Sequence, residues 1–148
     1  MDLKQRLTEA MRQAMRANDD VSRRTTRMVL AAIKQGEVDR QTTLDDTAIM
    51  GLLQKEVKNR REAIEEAVKA GRGDLVAENE AEIKVLEGFL PQAMSGDELR
   101  QLAQSAIAEA GAAAPADMGK VMKVLMPKVA GRAAGDQVSA MVKELLTK

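Results

Sequence analysis

The 148-residue chain has no cysteine, histidine, tryptophan or tyrosine, and its one aromatic residue is Phe89. Each absence removes a class of chemistry. Without Cys no disulfide can close and no thiolate nucleophile can form. Without His there is no imidazole base, and Cys/His zinc sites are excluded with it. A single phenylalanine cannot provide the aromatic platforms on which nucleic-acid bases stack. No apolar run approaches the roughly 20 residues of a membrane-spanning helix. The opening Met1-Asp-Leu-Lys-Gln-Arg6 holds no apolar segment of a secretory leader. These absences set the expectation of a cytoplasmic protein with no membrane partner.

What is present suits helices. Leu, Ile, Val, Ala and ten Met must fill the interior, and such side chains favour helix-on-helix packing. Apolar residues recur at spacings of three and four. A first helix from about Asp2 to Asn18 aligns Leu3, Leu7, Ala10, Met11, Ala14 and Met15. A second, from about Ser22 to Val38, aligns Val21, Thr25, Met28, Val29, Ala32 and Ile33. Thr43-Leu-Asp-Asp46 reads as a capping box opening a long third helix to about Ala70. Its inward face is Ile49, Leu52, Leu53, Val57, Ile64, Ala67 and Val68. Gly71 ends that helix and Asp74 caps a fourth, which carries Leu75, Val76, Ile83, Leu86 and Phe89. The short Gly71-Arg-Gly73 connection predicts an antiparallel hairpin.

Leu90-Pro91 stops the fourth helix. Ser95-Gly-Asp-Glu98 is a second capping box, and the fifth helix runs to Gly111. Asp117 caps the sixth helix, Pro127 ends it, and Gly131 and Gly135 frame a turn. Asp136 then caps a last helix with Val138, Met141, Val142, Leu145 and Leu146 inward. The expected fold is all-α: a four-helix bundle-like domain over residues 1–91 and a three-helix domain over 96–148. Met118, Met122 and Met126, four residues apart, are expected in the core of the sixth helix.

Zero net charge conceals a segregated pattern. Asp74 to Glu98 holds seven acidic residues against Lys84 alone, whereas Met118 to Lys148 holds six basic residues against Asp136 and Glu144. Lys120, Lys123, Lys128 and Arg132 form the basic core of that tail. Gly119, Gly131 and Gly135 leave backbone N–H groups approachable there, and Asp117 and Asp136 supply caps. Phosphate oxygens suit this arrangement, although a merely solvated face has the same composition.

Elsewhere, Arg23, Arg24 and Arg27 near the start of the second helix are expected to form ion pairs with Glu56, Glu62, Glu65 and Glu66 of the third. Glu78, Glu80 and Glu82 could in principle gather a metal, but an acidic solvated face is the expected reading. The paired Asp45-Asp46 and Glu65-Glu66 point in different directions on a helix, so no catalytic pair is assigned. Neither a Walker-type phosphate loop nor a dinucleotide fingerprint is present. No catalytic residue, metal or cofactor is expected.

Four stretches carry a resemblance: Arg27-Met-Val-Leu-Ala-Ala-Ile-Lys34, Glu56-Val-Lys-Asn-Arg-Arg61, Ile83-Lys-Val-Leu-Glu-Gly-Phe-Leu-Pro91, and Pro115-Ala-Asp-Met-Gly-Lys-Val-Met122 followed by Gly131-Arg-Ala133. In this order they resemble the YqeY-like family over essentially the whole chain. The tail is similar to the C-terminal tail domain of GatB, a subunit of the glutamine-dependent tRNA amidotransferase. The resemblance implies two helical domains and an association with carbon–nitrogen ligase activity that uses glutamine as amide donor. It implies tRNA as one partner and an amidotransferase or another protein as the second. In GatB the chemistry sits in a separate catalytic domain, so the resemblance points to a non-catalytic tRNA-binding or accessory module. A helical protein–protein adaptor is the alternative, and a small carboxylate enzyme a third reading. Ala134 departs from the family, which usually has an acidic or amide residue after the Gly-Lys/Arg-Ala turn.

Overall fold

A computed structural model describes residues 1–147. Lys148, counted above in the basic tail and in the second expected domain, lies outside the described residues. Among these are seven α-helices, one short 3₁₀ turn and no strand, so the fold is all-α. The helices are α1 (Leu3–Arg16), α2 (Asp20–Arg40), α3 (Asp46–Lys69), α4 (Gly73–Glu87), α5 (Gly96–Ala110), α6 (Met118–Val129) and α7 (Gly135–Leu146), with the 3₁₀ turn at Pro115–Asp117. The chain forms two compact units, and the second begins at Pro91.

In the first unit, side chains satisfy the orphan N–H groups at three of the four helix starts. Gln5 N–H donates to Asp2 at 2.8 Å and Asp2 N–H donates back to Gln5 at 3.0 Å, a reciprocal box that opens α1. Asp19 opens α2, accepting from the Ser22 hydroxyl at 2.7 Å and the Ser22 N–H at 3.1 Å. Those bonds, the hydroxyl's first, hold the Asp19 carboxyl below its ordinary range. At α3 the expected capping box is displaced. Asp45, not Thr43, is the cap and accepts from Ala48 N–H at 2.9 Å. Asp46 is thereby free to accept from Leu3 N–H at 3.1 Å, which fastens α3 to the start of α1. Asp74 does not cap α4 either. It lies inside the first turn and pairs with Arg72 through two contacts of 2.9 and 3.0 Å.

Leu3, Leu7, Val29, Ile33, Ile49, Leu53, Val57 and Leu86 form the buried core of this unit, with Met28, Ile83 and Phe89 packed against it. Each large side chain so buried contributes roughly 1.5–3 kcal/mol. The same stripe of α3 continues into a charge, Arg60, whose side chain is only 10% exposed. Its Nε donates to Glu82 at 2.8 Å, and its Nη1 donates to the Glu56 carboxylate at 2.6 Å and the Glu56 carbonyl at 3.1 Å. Arg24 reaches the other Glu82 oxygen at 3.2 Å and Glu78 at 3.2 Å. This network joins α2, α3 and α4.

Three expectations change as a result. Arg24 pairs with Glu78 and Glu82 of α4 and Arg23 with Asp20 of its own helix, in place of the expected pairs with Glu56, Glu62, Glu65 and Glu66 of α3. Glu82, expected with Glu78 and Glu80 on an acidic solvated face, is instead largely buried and pairs with Arg60 and Arg24, and Glu78 pairs with Arg24. Val68, expected inward, is 63% exposed. No apolar side chain of α3 beyond Val57, and none of α4 before Ile83, belongs to the unit's core.

The second unit buries Leu99, Ala103 and Ala106 of α5, Val121, Leu125 and Val129 of α6, and Val138, Val142 and Leu146 of α7, with Ala133 between the last two helices. The β-branched and Leu stripe of α6 occupies the core in place of the methionines. Met118 and Met122 pack at its edge, and Met126 is 39% exposed. Pro127 does not end α6, which continues to Val129. The missing proline N–H falls in the last turn on the exposed side, where water can serve the freed Lys123 carbonyl. The helix stops where Ala130 and Gly131 turn left-handed, at φ 50° and 80°.

Candidate nucleic-acid interface

Turning Val121, Leu125 and Val129 inward fixes what α6 shows outside. At about 100° per residue, Lys120, Lys123 and Pro127 fall on its outer crest, and all three are exposed. Lys120 lies 4.0 Å from Asp117, a loose contact. Among the described residues no carboxylate lies within 4.0 Å of the Lys123 ammonium, as one does for Lys128. Gly119 precedes this pair, and a Cβ built on it would meet nothing within 4 Å. Its backbone is therefore uncovered, as is that of Gly135 at the start of α7.

The other two basic residues are engaged inside the unit. Lys128 donates to Glu109 of α5 at 2.6 Å. Arg132 holds the chain that leads into α5: its Nε donates to the Gln92 carbonyl at 3.0 Å and its Nη2 to Glu98 at 2.9 Å. Its own carbonyl accepts from Met94 N–H at 2.9 Å. The four-residue cluster expected from sequence thus divides into two outward lysines, one lysine in an exposed pair, and an arginine that works as a clamp. Exposed pairs of the Lys128–Glu109 kind contribute ~0–1 kcal/mol, so Lys128 can exchange its carboxylate for a phosphate at little cost.

The expected caps also take other roles. Asp117 makes no side-chain cap to α6. Its carboxylate accepts from Ala113 N–H at 3.1 Å and Ala114 N–H at 3.3 Å, closing the loop that precedes the helix. Those backbone bonds, Ala113's first, hold the carboxyl below its ordinary range, with a smaller contribution from Lys120. Asp136 lies in the first turn of α7, where it accepts from Gln137 N–H at 2.9 Å. The cap position belongs to Ala134, whose methyl group makes no cap bond. The departure noted in the sequence therefore falls on the residue that would close the α7 N-terminus.

Sequence reasoning missed the Arg132 clamp because Glu98 already had a role, as the returning carboxylate of the Ser95 box. Only half of that box forms: Glu98 N–H donates to Ser95 Oγ at 3.1 Å, while the Glu98 carboxylate goes to Arg132. Buried Arg60 was missed too, although its spacing from Val57 and Ile64 placed it on the apolar stripe.

A family model described as Yqey-like protein matches residues 4–146. Among curated proteins, the chain is 38% identical over 87 residues to Altered inheritance of mitochondria protein 41, mitochondrial, of Lachancea thermotolerans, covering 58% of this chain and 46% of that protein. It is 36% identical over 85 residues to the protein of the same name in Eremothecium gossypii, covering 57% and 46%. A longer match, 29% identical over 144 residues, joins it to the Pyrenophora tritici-repentis protein of that name and covers 95% and 79%. The chain spans about half the length of the first of these relatives. The expectation of a cytoplasmic location is overturned by these relatives, which are named as mitochondrial proteins. Absence of Cys and of a visible leader cannot tell one thiol-reducing compartment from another.

Proposed function

Given that the chain belongs to the YqeY-like family, we propose that it is a non-catalytic RNA-handling module, one that binds the sugar-phosphate backbone of tRNA through the outer crest of α6. One observation carries this reading: Lys120 and Lys123 stand one turn apart on an exposed helix face, beside the bare backbone of Gly119 and away from a firm carboxylate partner. Lysine ammonium groups so placed meet phosphate oxygens as point charges. Lys128 joins them by releasing Glu109. Arg132 contributes by holding the segment from Gln92 to Glu98, and so acts on RNA only indirectly.

With Phe89 as the only aromatic side chain, recognition rests on backbone and shape, without base stacking. Association with glutamine-dependent amide transfer onto tRNA follows the family resemblance of the tail. In that setting the module would present the tRNA body to a catalytic partner. Bulk tRNA titrated into the purified chain tests the reading. Binding at low salt that is largely lost in Lys120→Ala/Lys123→Ala supports it, and equal binding by that variant and the parent overturns it.

A further inference from the structure

Beyond the core of the first unit, α3 and α4 continue as a two-helix arm. Ile64, Ala67, Val68, Leu75 and Val76 on this arm belong to neither core of the molecule. Ala67 is buried where the two helices meet, but Val68 is 63% exposed. Along one side runs an open groove of about 500 Å³, whose lining includes the apolar Ala67, Val68, Val76 and Ala77 and the charged Arg72 and Glu80. Its apolar lining side chains are small, so bulky aliphatic groups from outside can enter it.

Charge selects the visitor. From Glu62 to Glu80 there are six carboxylates against Lys69 and Arg72. Both cations are already held by carboxylates of the arm, Lys69 by Glu66 at 3.5 Å and Arg72 by Asp74 at 2.9 Å. Arg24 of α2 takes Glu78. Among the described residues Glu62, Glu65 and Glu80 are left without a cation within salt-bridge distance. An apolar groove beside unpaired carboxylates repels phosphate and anionic lipid and complements a positively charged protein surface.

We propose that the α3–α4 arm is a docking surface for a basic amphipathic helix of a partner protein. Aliphatic side chains of that helix enter the groove between Val68 and Val76, and its Lys or Arg residues meet Glu65 and Glu80. The surface is independent of the α6 crest, so it stands whether or not the chain binds RNA.

The full chain is titrated with a fluorescent Leu/Lys amphipathic peptide, beside the same peptide with Glu in place of each Lys. The Leu/Lys peptide binds and the Leu/Glu peptide does not. Val68→Asp weakens binding about tenfold or more, the usual effect of placing a charge in an apolar contact. Because Val68 is exposed, the helical circular dichroism and melting of that variant stay at the parent values. Glu65→Gln/Glu80→Gln, which leaves the groove apolar, weakens binding and flattens its salt dependence. Equal affinity of the parent and Val68→Asp overturns the proposal, as does binding of the Leu/Glu peptide. Concentration-dependent dimerisation that disappears in Val68→Asp also overturns it, assigning the groove to a second copy of the chain.

Discussion

The two units solve the same packing problem with different materials. The first runs a charge through its interior: Arg60, on the apolar stripe of α3, is fixed by Glu56 and Glu82, and Glu82 is shared with Arg24 of α2. The second buries only aliphatic side chains, two of the three in each helix's inner stripe being alanine or valine, and keeps its ion pairs at the surface. An aliphatic stripe drives helices together but tolerates sliding, whereas a forked guanidinium fits one register. The first unit thereby specifies how α2, α3 and α4 align, and the second leaves its outer lysines available for other uses.

The contrast is broken most severely at Arg60. Arg60→Ala leaves the Glu82 and Glu56 carboxylates without their buried cation, and urea unfolding should show a loss of about 3–5 kcal/mol. Arg60→Met/Glu82→Gln removes charge from both sides and should recover most of it, since Arg24 keeps Glu78. If the double variant is no better than the single, the ion pair is not what sets the cost. In the second unit the matching lesion is Leu125→Ala, which opens a cavity beside Val121 and Val138 and should cost about 2–5 kcal/mol. That cost should be indifferent to salt.

Smaller effects sharpen the picture of the tail. Ala134→Asp places an acceptor at the uncapped start of α7 and should raise stability by about 1 kcal/mol in thermal melts. No gain would mean that the N–H groups there are already satisfied. Asp117 supplies a pH test. Its folded-state pKa lies below its ordinary value of 3.8, so its stabilising effect is complete above that value and is lost as pH falls through the lowered one. Asp117→Asn should therefore flatten the acid limb of the stability profile below about pH 4 and leave its neutral-to-alkaline shape unchanged.

These features were unevenly legible in the sequence. Helices were readable because apolar spacing of three and four is a local signal, and all seven were found. Helix starts were harder wherever several polar residues compete. In Thr43-Leu-Asp-Asp46, Asp45 took the role given to Thr43, and Asp46 went to the Leu3 N–H, a partner 43 residues away that no local pattern shows. Around Asp117 the carboxylate turned back to the preceding loop. Pro127 was read as a stop, although a proline in a last exposed turn breaks only one bond. Arg60 was hidden by its company, since Asn59-Arg60-Arg61 looks like a solvated face. The basic tail was visible as composition, but the division between outward Lys120 and Lys123 and engaged Lys128 and Arg132 depends on carboxylates and a backbone carbonyl that lie 19 to 40 residues away in the chain.

The central claim is that backbone binding belongs to the α6 crest and not to the cations of the first unit. The direct measurement is the slope of log affinity for bulk tRNA against log salt, for the parent, Lys120→Ala/Lys123→Ala and Arg27→Ala/Lys34→Ala. Each lost phosphate contact reduces the slope by about one. The α6 variant should therefore lose about two and most of its low-salt affinity, while the α2 variant keeps the parent slope. A parent slope retained in the α6 variant and lost in the α2 variant would contradict the claim and move the RNA contact to the first unit.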